Sequence, residues 1–210
     1  MSLTLHGYWR SSAAYRVRLA LALKGVSYRS VTHDLRTGEQ RSEDYRALQP
    51  QGLVPALEGQ DGVLIQSPAI LEWLEERYPD PPLLPTDSAG RAVVRAMAAI
   101  VACDVHPINN LRVLTRLRED MRADEAAIRD WIAHWVAEGF DALETLIARH
   151  GAGFAYGDTP TLADCHLLPQ VYNAERFGVD LTPFPRLAAA AQRLREQAPS
   201  AAPEAQDDAG

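Results

Sequence analysis

The chain has 210 residues, of which 47% are hydrophobic and 23% charged, and its net charge at pH 7 is −7. This length is enough for one large domain or two small ones, each with its own core. The acidic balance disfavours nucleic acid and anionic membranes as partners, so an acidic ligand would need a locally basic pocket. The start has no signal-peptide pattern, and no apolar run approaches membrane-spanning length. Two distant cysteines do not form a disulfide framework, and we expect a cytoplasmic protein.

The first 80 residues alternate between strand-like and helix-like segments. Strands are predicted at 3–8, 28–35, 54–57 and 63–65, and helices at 13–24, 42–48 and 67–78. The order βαβαββα is that of a thioredoxin-like layer, in which helices cover a mixed sheet. We therefore predict an α+β thioredoxin-like domain over residues 1–80.

The rest of the chain is predicted to be all-helical. A proline-rich linker over 81–88 precedes a helical domain over 89–198, with helices at 89–119, 124–149, 161–174 and 185–197. Thr161 and Asp164 have the spacing of a capping box that starts the third of these helices. Both cysteines are expected to be small buried residues, and the tail over 199–210 is expected to be disordered.

The most informative feature is the serine pair Ser11-Ser12, which lies between the first strand and the first helix. Unpaired N–H groups and the helix dipole make such a turn favourable for an anion. A thioredoxin-type redox protein would carry Cys-x-x-Cys here, and this chain does not. The pair therefore indicates that the reactive sulfur belongs to a bound thiol cofactor, whose thiolate Ser11 stabilises.

A second helix start is marked by Ser67-Pro68, a capping hydroxyl followed by proline in the first turn. Its exposed N–H groups, together with Gln66 and Ser67, suit a carboxylate. An ordinary helix cap would have the same sequence, so the pattern leaves both interpretations open. The six histidines show no metal-ligand spacing, and no metal site is predicted.

Taken together, six segments resemble the zeta class of the glutathione transferases. They are 8–18 (YWRSSAAYRVR), 51–57 (QGLVPAL), 66–72 (QSPAILE), 104–110 (DVHPINN), 157–164 (GDTPTLAD) and 174–182 (AERFGVDLT). The resemblance extends to about residue 198 and implies the two-domain glutathione transferase fold. Ala13 departs from it, because some members of the class have cysteine there.

The resemblance implies a glutathione-dependent enzyme that forms a homodimer and acts on a small dicarboxylic substrate. The class includes maleylacetoacetate isomerase of aromatic amino-acid catabolism and maleylpyruvate isomerase of the gentisate pathway, and the first is narrowly favoured. Conjugation or dehalogenation of small α-halo acids is an alternative with the same cofactor. A non-catalytic glutathione-binding protein is the least favoured alternative.

The resemblance also assigns site residues. The catalytic set is Ser11, Ser12 and Arg10, in which Ser12 is the second candidate for the thiolate. Glutathione contacts are expected at both serines and at Gln40, Val54, Pro55, Gln66, Ser67, His106 and Asn110. The Val54-Pro55 bond is expected to be cis, which the resemblance alone implies because trans bonds are far commoner. Substrate carboxylates are expected at Arg10, His106, Arg112 and Arg176, since arginine offers bidentate donation.

Overall fold

The computed structural model describes residues 3–207, which form two compact units. One unit contains the chain up to Leu83 together with the segment from Glu196 onward, and the other is Leu84–Arg195. The division between Leu83 and Leu84 falls inside the predicted linker over 81–88. The first unit therefore includes a C-terminal segment that the sequence places in the helical domain and the tail.

A four-stranded mixed sheet forms the centre of the first unit. The strands are β1 (Leu3–Gly7), β2 (Tyr28–Thr32), β3 (Ala56–Gly59) and β4 (Gly62–Ile65). Their spatial order is β2-β1-β3-β4, with β1 parallel to β2 and the other two pairs antiparallel. All five residues of β1 are buried, as expected for a central strand covered on both faces. The predicted thioredoxin-like order is confirmed.

Three helices accompany this sheet: α1 (Ser12–Leu23), α2 (Glu43–Leu48) and α3 (Ser67–Arg77). A short 3₁₀ turn at Glu39–Arg41 precedes α2 and was not predicted. The predicted capping role of Ser67 is wrong. Gln66 is the N-cap residue, with φ of 69°, and no side-chain cap bond forms there. Ser67 is the first helical residue, and its hydroxyl accepts a hydrogen bond from Arg16 Nη1 at 3.2 Å.

A buried ion pair links the end of α1 to α3. Lys24, the only lysine in the chain, donates to Glu75 Oε2 at 2.7 Å, to the Tyr78 carbonyl at 2.7 Å and to the Pro81 carbonyl at 3.0 Å. Glu75 also accepts a hydrogen bond from the Leu83 N–H at 3.0 Å. These bonds fix the backbone that follows α3 against the first unit.

The C-terminal segment differs from the disordered tail expected over 199–210. It forms a 3₁₀ turn at Pro199–Ala201 and the short helix α9 (Glu204–Asp207), and residues 208–210 lie outside the described part of the chain. The reason is a buried contact with α1, in which Arg18 Nε donates to the Ala201 carbonyl at 3.0 Å. Composition alone indicates disorder, whereas the Arg18 contact holds the turn in place.

The second unit is helical, with α4 (Ser88–Ala99), α5 (Leu111–Glu119), α6 (Glu125–His150), α7 (Leu162–Arg176) and α8 (Pro185–Gln197). The helix predicted over 89–119 is interrupted, because a π-helical segment (Ile100–Val105) and a 3₁₀ turn (Pro107–Asn109) separate α4 from α5. Within the described residues, the stretch Ser88–Glu119 is the single one that is long and apolar enough to pass a membrane-span criterion. Its Val94, Met97 and Val101 are buried in the core of this unit.

The start of α7 contains the predicted capping box. The Asp164 carboxylate accepts hydrogen bonds from the Thr161 N–H and hydroxyl at 2.9 and 2.8 Å, and from the Ala155 N–H at 2.7 Å. Burial raises the pKa of Asp164 to about 6, against the lowering effect of these donors. Cys165 is buried as predicted, whereas Cys103 is exposed, so the prediction for Cys103 is wrong.

Candidate active site

The strand register brings four chain segments to one edge of the sheet. His6 of β1 lies beside Val31 of β2 and Ala56 of β3, and Ala56 lies beside Ile65 of β4. These residues form one row across all four strands. Strands β1, β2 and β4 end at this edge, and β3 begins there. The segments that follow β1, β2 and β4 therefore lie at the same edge as the segment that precedes β3.

The predicted glutathione contacts of the first unit lie on these segments. The pair at 11–12 follows β1, Gln40 lies on the loop that follows β2, the pair at 54–55 precedes β3, and the pair at 66–67 follows β4. Topology therefore places at one edge a set of residues that are up to 56 positions apart in the sequence.

Ser11 is the N-cap residue of α1 and is partly exposed. Its Oγ accepts a hydrogen bond from the Ala14 N–H at 3.2 Å. The cap bond uses the oxygen as acceptor, so the hydroxyl proton can still be donated to a neighbouring anion. Ser12 is 7% exposed and is the first residue of α1. Ser11 is thus the more exposed of the two serines.

Arg10 lies directly before the serine pair and is exposed. Its guanidinium carbon lies 4.3 Å from the centre of the Trp9 ring, a cation–π contact. Because Arg10 is exposed, its guanidinium is accessible to a carboxylate. The position is compatible with the predicted substrate contact.

The Val54-Pro55 peptide bond is cis, as the resemblance implies. The loop that leads to it is held by Tyr45 of α2, whose hydroxyl donates to the Leu53 carbonyl at 2.8 Å. Burial raises the pKa of Tyr45, so this hydroxyl stays protonated as a donor. The ring of His33 packs 4.2 Å from that of Tyr45, and burial lowers the pKa of His33. Both rings support the loop in front of β3.

The two predicted residues at the start of α3 are held by neighbours from other segments. Arg16, which is 2% exposed, donates to the Ser67 hydroxyl. The side-chain amide of Gln66 donates to Gln51 Oε1 at 2.6 Å. A buried guanidinium beside the N-terminus of a helix gives this position positive potential, and such a position suits a ligand carboxylate.

Gln40 supplies a direct test of whether a peptide cofactor fits here. Its side chain is 6% exposed, and Oε1 has no hydrogen-bond partner among the described residues. A buried amide oxygen without a donor is unfavourable, and a ligand with an N–H group would satisfy it. Gly52, with φ of 61°, lies so close to Gln40 that a Cβ there would be 2.9 Å from the Gln40 carbonyl oxygen. Gln40 is therefore tied to the loop that precedes β3, and the residues present fit glutathione.

The predicted site residues of the second unit fall into two groups. His106 ends the π-helical segment, and Asn110 is the N-cap residue of α5, where its Oδ1 accepts from the Arg112 N–H at 3.2 Å. Arg176 lies at the exposed end of α7, with its guanidinium 5.7 Å from each of the Tyr172 and Phe177 rings. The structure thus joins Asn110 to Arg112, while the contacts of Arg176 are with its own helix and the residue that follows it.

Sequence reasoning assigned no site role to three residues that hold the predicted ones or the loop beside them: Tyr45, Gln51 and Arg16. Each acts through a contact with a residue in another segment, and no local motif reports such a contact. The Arg16 contact, for example, spans 51 residues of sequence.

The comparisons with known proteins agree with this geometry. Residues 1–76 match the profile of the glutathione S-transferase N-terminal domain. The chain is 50% identical to maleylacetoacetate isomerase of Pseudomonas aeruginosa, over 95% of this chain and 97% of the relative.

Two solved structures resemble the whole chain. One is the holo structure of a maleylpyruvate isomerase described as a bacterial zeta-class glutathione S-transferase, with TM-score 0.95, 52% identity and coverage of 98% of this chain and 99% of the other. The second is maleylacetoacetate isomerase from Anaeromyxobacter dehalogenans with bound dicarboxyethyl glutathione and citrate in the active site. Its TM-score is 0.88 and its identity 45%, over 100% of this chain and 98% of the other.

Proposed function

Because the chain belongs to the zeta-class glutathione transferases, we propose that it is a glutathione-dependent cis–trans isomerase of a maleyl-substituted keto acid. The observation that carries the proposal is the single sheet edge at which 11–12, 40, 54–55 and 66–67 meet. This edge offers a hydroxyl donor for a thiolate, an amide oxygen for a peptide N–H, and a helix N-terminus for a carboxylate. Glutathione presents each of these three partners.

Glutathione, when bound, supplies a thiol nucleophile that the isomerisation regenerates. Ser11 donates a hydrogen bond from its hydroxyl to the thiolate and lowers the thiol pKa from the free value of roughly 8.5. The backbone of Val54, held in place by the cis peptide bond, pairs with the cofactor peptide as an added strand would. Ser67 and the N–H groups of α3 bind the γ-glutamyl carboxylate.

The arginines act on the substrate. Arg10, which adjoins the serine pair, is the first candidate to bind a substrate carboxylate, and Arg112 and Arg176 are the others; bidentate binding of a carboxylate supplies the orientation that the reaction needs. As negative charge moves onto the conjugated carbonyl, donors from arginine and His106 stabilise it. The citrate and dicarboxyethyl glutathione bound to the Anaeromyxobacter enzyme are polycarboxylates of the kind that these side chains would bind.

The substrate is one of two closely related diacids. Maleylacetoacetate, narrowly favoured by the sequence, is supported by the Pseudomonas relative. Maleylpyruvate is supported by the structure with TM-score 0.95. Both present a cis double bond between a carboxylate and a keto acid, so the same side chains serve either one.

The test is to assay both diacids with and without glutathione, for the wild type and for Ser11→Ala, Ser11→Gly and Ser12→Ala. We expect turnover to require glutathione and leave its concentration unchanged. We expect both Ser11 variants to lose most of kcat, and Ser12→Ala to retain more activity. Ser11→Gly is the matched control for the helix cap, since glycine at an N-cap lowers stability by only a few tenths of a kcal/mol.

Two outcomes would overturn the proposal. Glutathione-independent turnover would exclude the mechanism, and stoichiometric loss of glutathione would indicate conjugation or dehalogenation instead. The absorbance of the bound thiolate, titrated against pH, gives an independent reading of the role of Ser11. Its apparent pKa should rise in Ser11→Gly.

The proposal extends to assembly and location. Membership of the family supports a homodimer, which light scattering on a sizing column would test by mass. Cys103 and Cys165 are free thiols, as expected in a reducing compartment such as the cytoplasm.

A further inference from the structure

The segment between α4 and α5, residues 100–110, is held by an unusually close contact with α6. Gly139 of α6 faces Val105, and a Cβ built on Gly139 would lie 2.2 Å from Val105 Cγ2. Two non-bonded carbon atoms cannot approach so closely, so the backbone or Val105 would have to shift. Val105 is 1% exposed, so its side chain has little room to move. Glycine is therefore required at 139 for this packing.

Val105 is also the point where the helix changes its geometry. The π-helical turn ends with a hydrogen bond from the His106 N–H to the Val101 carbonyl at 2.9 Å, and Pro107 then removes the next backbone donor. The Val105 carbonyl accepts from the Asn109 side-chain amide at 3.0 Å. Val105 thus fixes the segment twice, through its side chain on α6 and through its carbonyl.

A second contact from α6 lies eight residues before Gly139. The indole N–H of Trp131 donates to the Ile108 carbonyl at 3.1 Å. A partly buried indole N–H needs an acceptor, and here it takes one from the middle of the 3₁₀ turn. α6 therefore contacts the irregular stretch at two points, Val105 at the end of the π-helical turn and Ile108 in the 3₁₀ turn.

We propose that Gly139 and Trp131 are positioning residues for His106 and for Asn110 with Arg112. Short π and 3₁₀ turns have poorer internal hydrogen bonding than an α-helix, and π turns are frequent at functional sites. The place of this segment is therefore set by α6 and not by its own helix. This inference rests on the proposed function for what the segment binds, but the positioning itself is independent of the reaction.

The experiment compares Gly139→Ala with Gly139→Ala/Val105→Ala, in which removal of the valine methyls makes room for the new Cβ. We expect Gly139→Ala to weaken glutathione binding and raise KM for the diacid by about ten-fold, because small displacements of binding groups have large effects. The double variant should recover most of this loss. Backbone amides at 106–110 should exchange hydrogen faster in Gly139→Ala and return towards the wild-type rate in the double variant.

Gly90→Ala is the matched control. A Cβ there would lie 2.6 Å from the Tyr156 hydroxyl and 2.7 Å from Asp87 Oδ2. The substitution therefore crowds the start of α4, and the atoms it crowds do not belong to residues 100–110. It should reduce stability without a change in KM or in exchange at 106–110. Trp131→Phe tests the second contact and should raise the same exchange rates, even if Gly139→Ala does not fold.

The outcomes separate the two proposals. If Gly139→Ala lowers the free energy of unfolding but leaves glutathione affinity, KM and exchange at 106–110 unchanged, Gly139 serves packing alone and the inference is wrong. The inference would also be wrong if Gly139→Ala/Val105→Ala recovered neither KM nor the exchange rates at 106–110 and Trp131→Phe left those exchange rates unchanged. If the wild type isomerises neither diacid, the proposed function fails, while calorimetric glutathione binding and hydrogen exchange still decide the positioning role.

Discussion

Replacing Lys24 by methionine should cause one of the largest losses of stability that a single substitution can produce in this protein. The Lys24 side chain is 0% exposed and that of Glu75 is 9% exposed. Methionine fills a similar volume but leaves the Glu75 carboxylate buried beside an apolar group, and it removes the donor to the Tyr78 and Pro81 carbonyls. Breaking a buried pair in this way costs about 3–5 kcal/mol.

This magnitude is large compared with the whole. Domains of this kind unfold with a free energy of about 5–15 kcal/mol, so the substitution removes roughly a fifth of it or more. In urea, with a slope of about 3 kcal/mol per M, the unfolding midpoint should fall by roughly 1–2 M. The assay is equilibrium unfolding at one fixed protein concentration, because assembly would otherwise contribute to the apparent stability.

The double variant Lys24→Met/Glu75→Leu supplies the control. Since it removes both charges together, it should be more stable than Lys24→Met by at least about 1 kcal/mol. A loss below about 1 kcal/mol in Lys24→Met would refute the reasoning, because that is the size expected of an exposed pair. So would a double variant that is less stable than the single one.

Three further predictions concern other parts of the molecule. Burial holds the pKa of Asp164 at about 6, above its ordinary value of 3.8, so the folded state binds the carboxyl proton more tightly than the unfolded state does. The free energy of unfolding should therefore fall as the pH rises from about 4 to 6. Urea unfolding across that pH range should show this contribution in the wild type, and it should be absent in Asp164→Asn. Gln170 is 0% exposed, and neither polar atom of its side-chain amide has a hydrogen-bond partner among the described residues. Gln170→Leu should therefore raise the free energy of unfolding by about 1–3 kcal/mol. A lower free energy of unfolding would instead indicate that an internal water binds the amide. Gly52→Ala should weaken glutathione binding in calorimetry, because its Cβ would press on Gln40. Gly62→Ala is the control: it is also at positive φ, but its Cβ would have nothing within 4 Å, so glutathione affinity should not change. Equal affinities for the two variants would contradict a role of Gly52 in placing Gln40.

The order of strands and helices in the first unit could be read from the sequence because each element carries its own periodicity. Residues 3–7 alternate in a short run, and residues 67–77 begin with serine and proline. The cis bond before Pro55 has no such local signature. It followed from the family resemblance alone, since an isolated Val-Pro pair favours trans.

The π-helical turn between α4 and α5 could not be predicted, because a single turn of i→i+5 hydrogen bonds is too short to show in the apolar periodicity of a long helical stretch. Pro107 was the one local sign of it. The Arg16 contact was invisible for a different reason, since it joins two segments 51 residues apart that only the fold brings together. Cys103 was misjudged because burial statistics for cysteine do not record which side of a helix faces the core.

The burial of Lys24 also affects how readily an electrophilic substrate can modify the protein covalently. Activated alkenes and keto acids react with free amines and thiols, which are the nucleophiles of covalent catalysis as well. Of the 21 basic residues of the chain only one is a lysine, and its ε-amine is enclosed between a carboxylate and two carbonyl groups. Position 13, beside the serine pair, carries alanine in place of a thiol. An enzyme of this composition offers an electrophilic substrate few groups to alkylate, and the exposed Cys103 is the side chain on which adducts should be sought first.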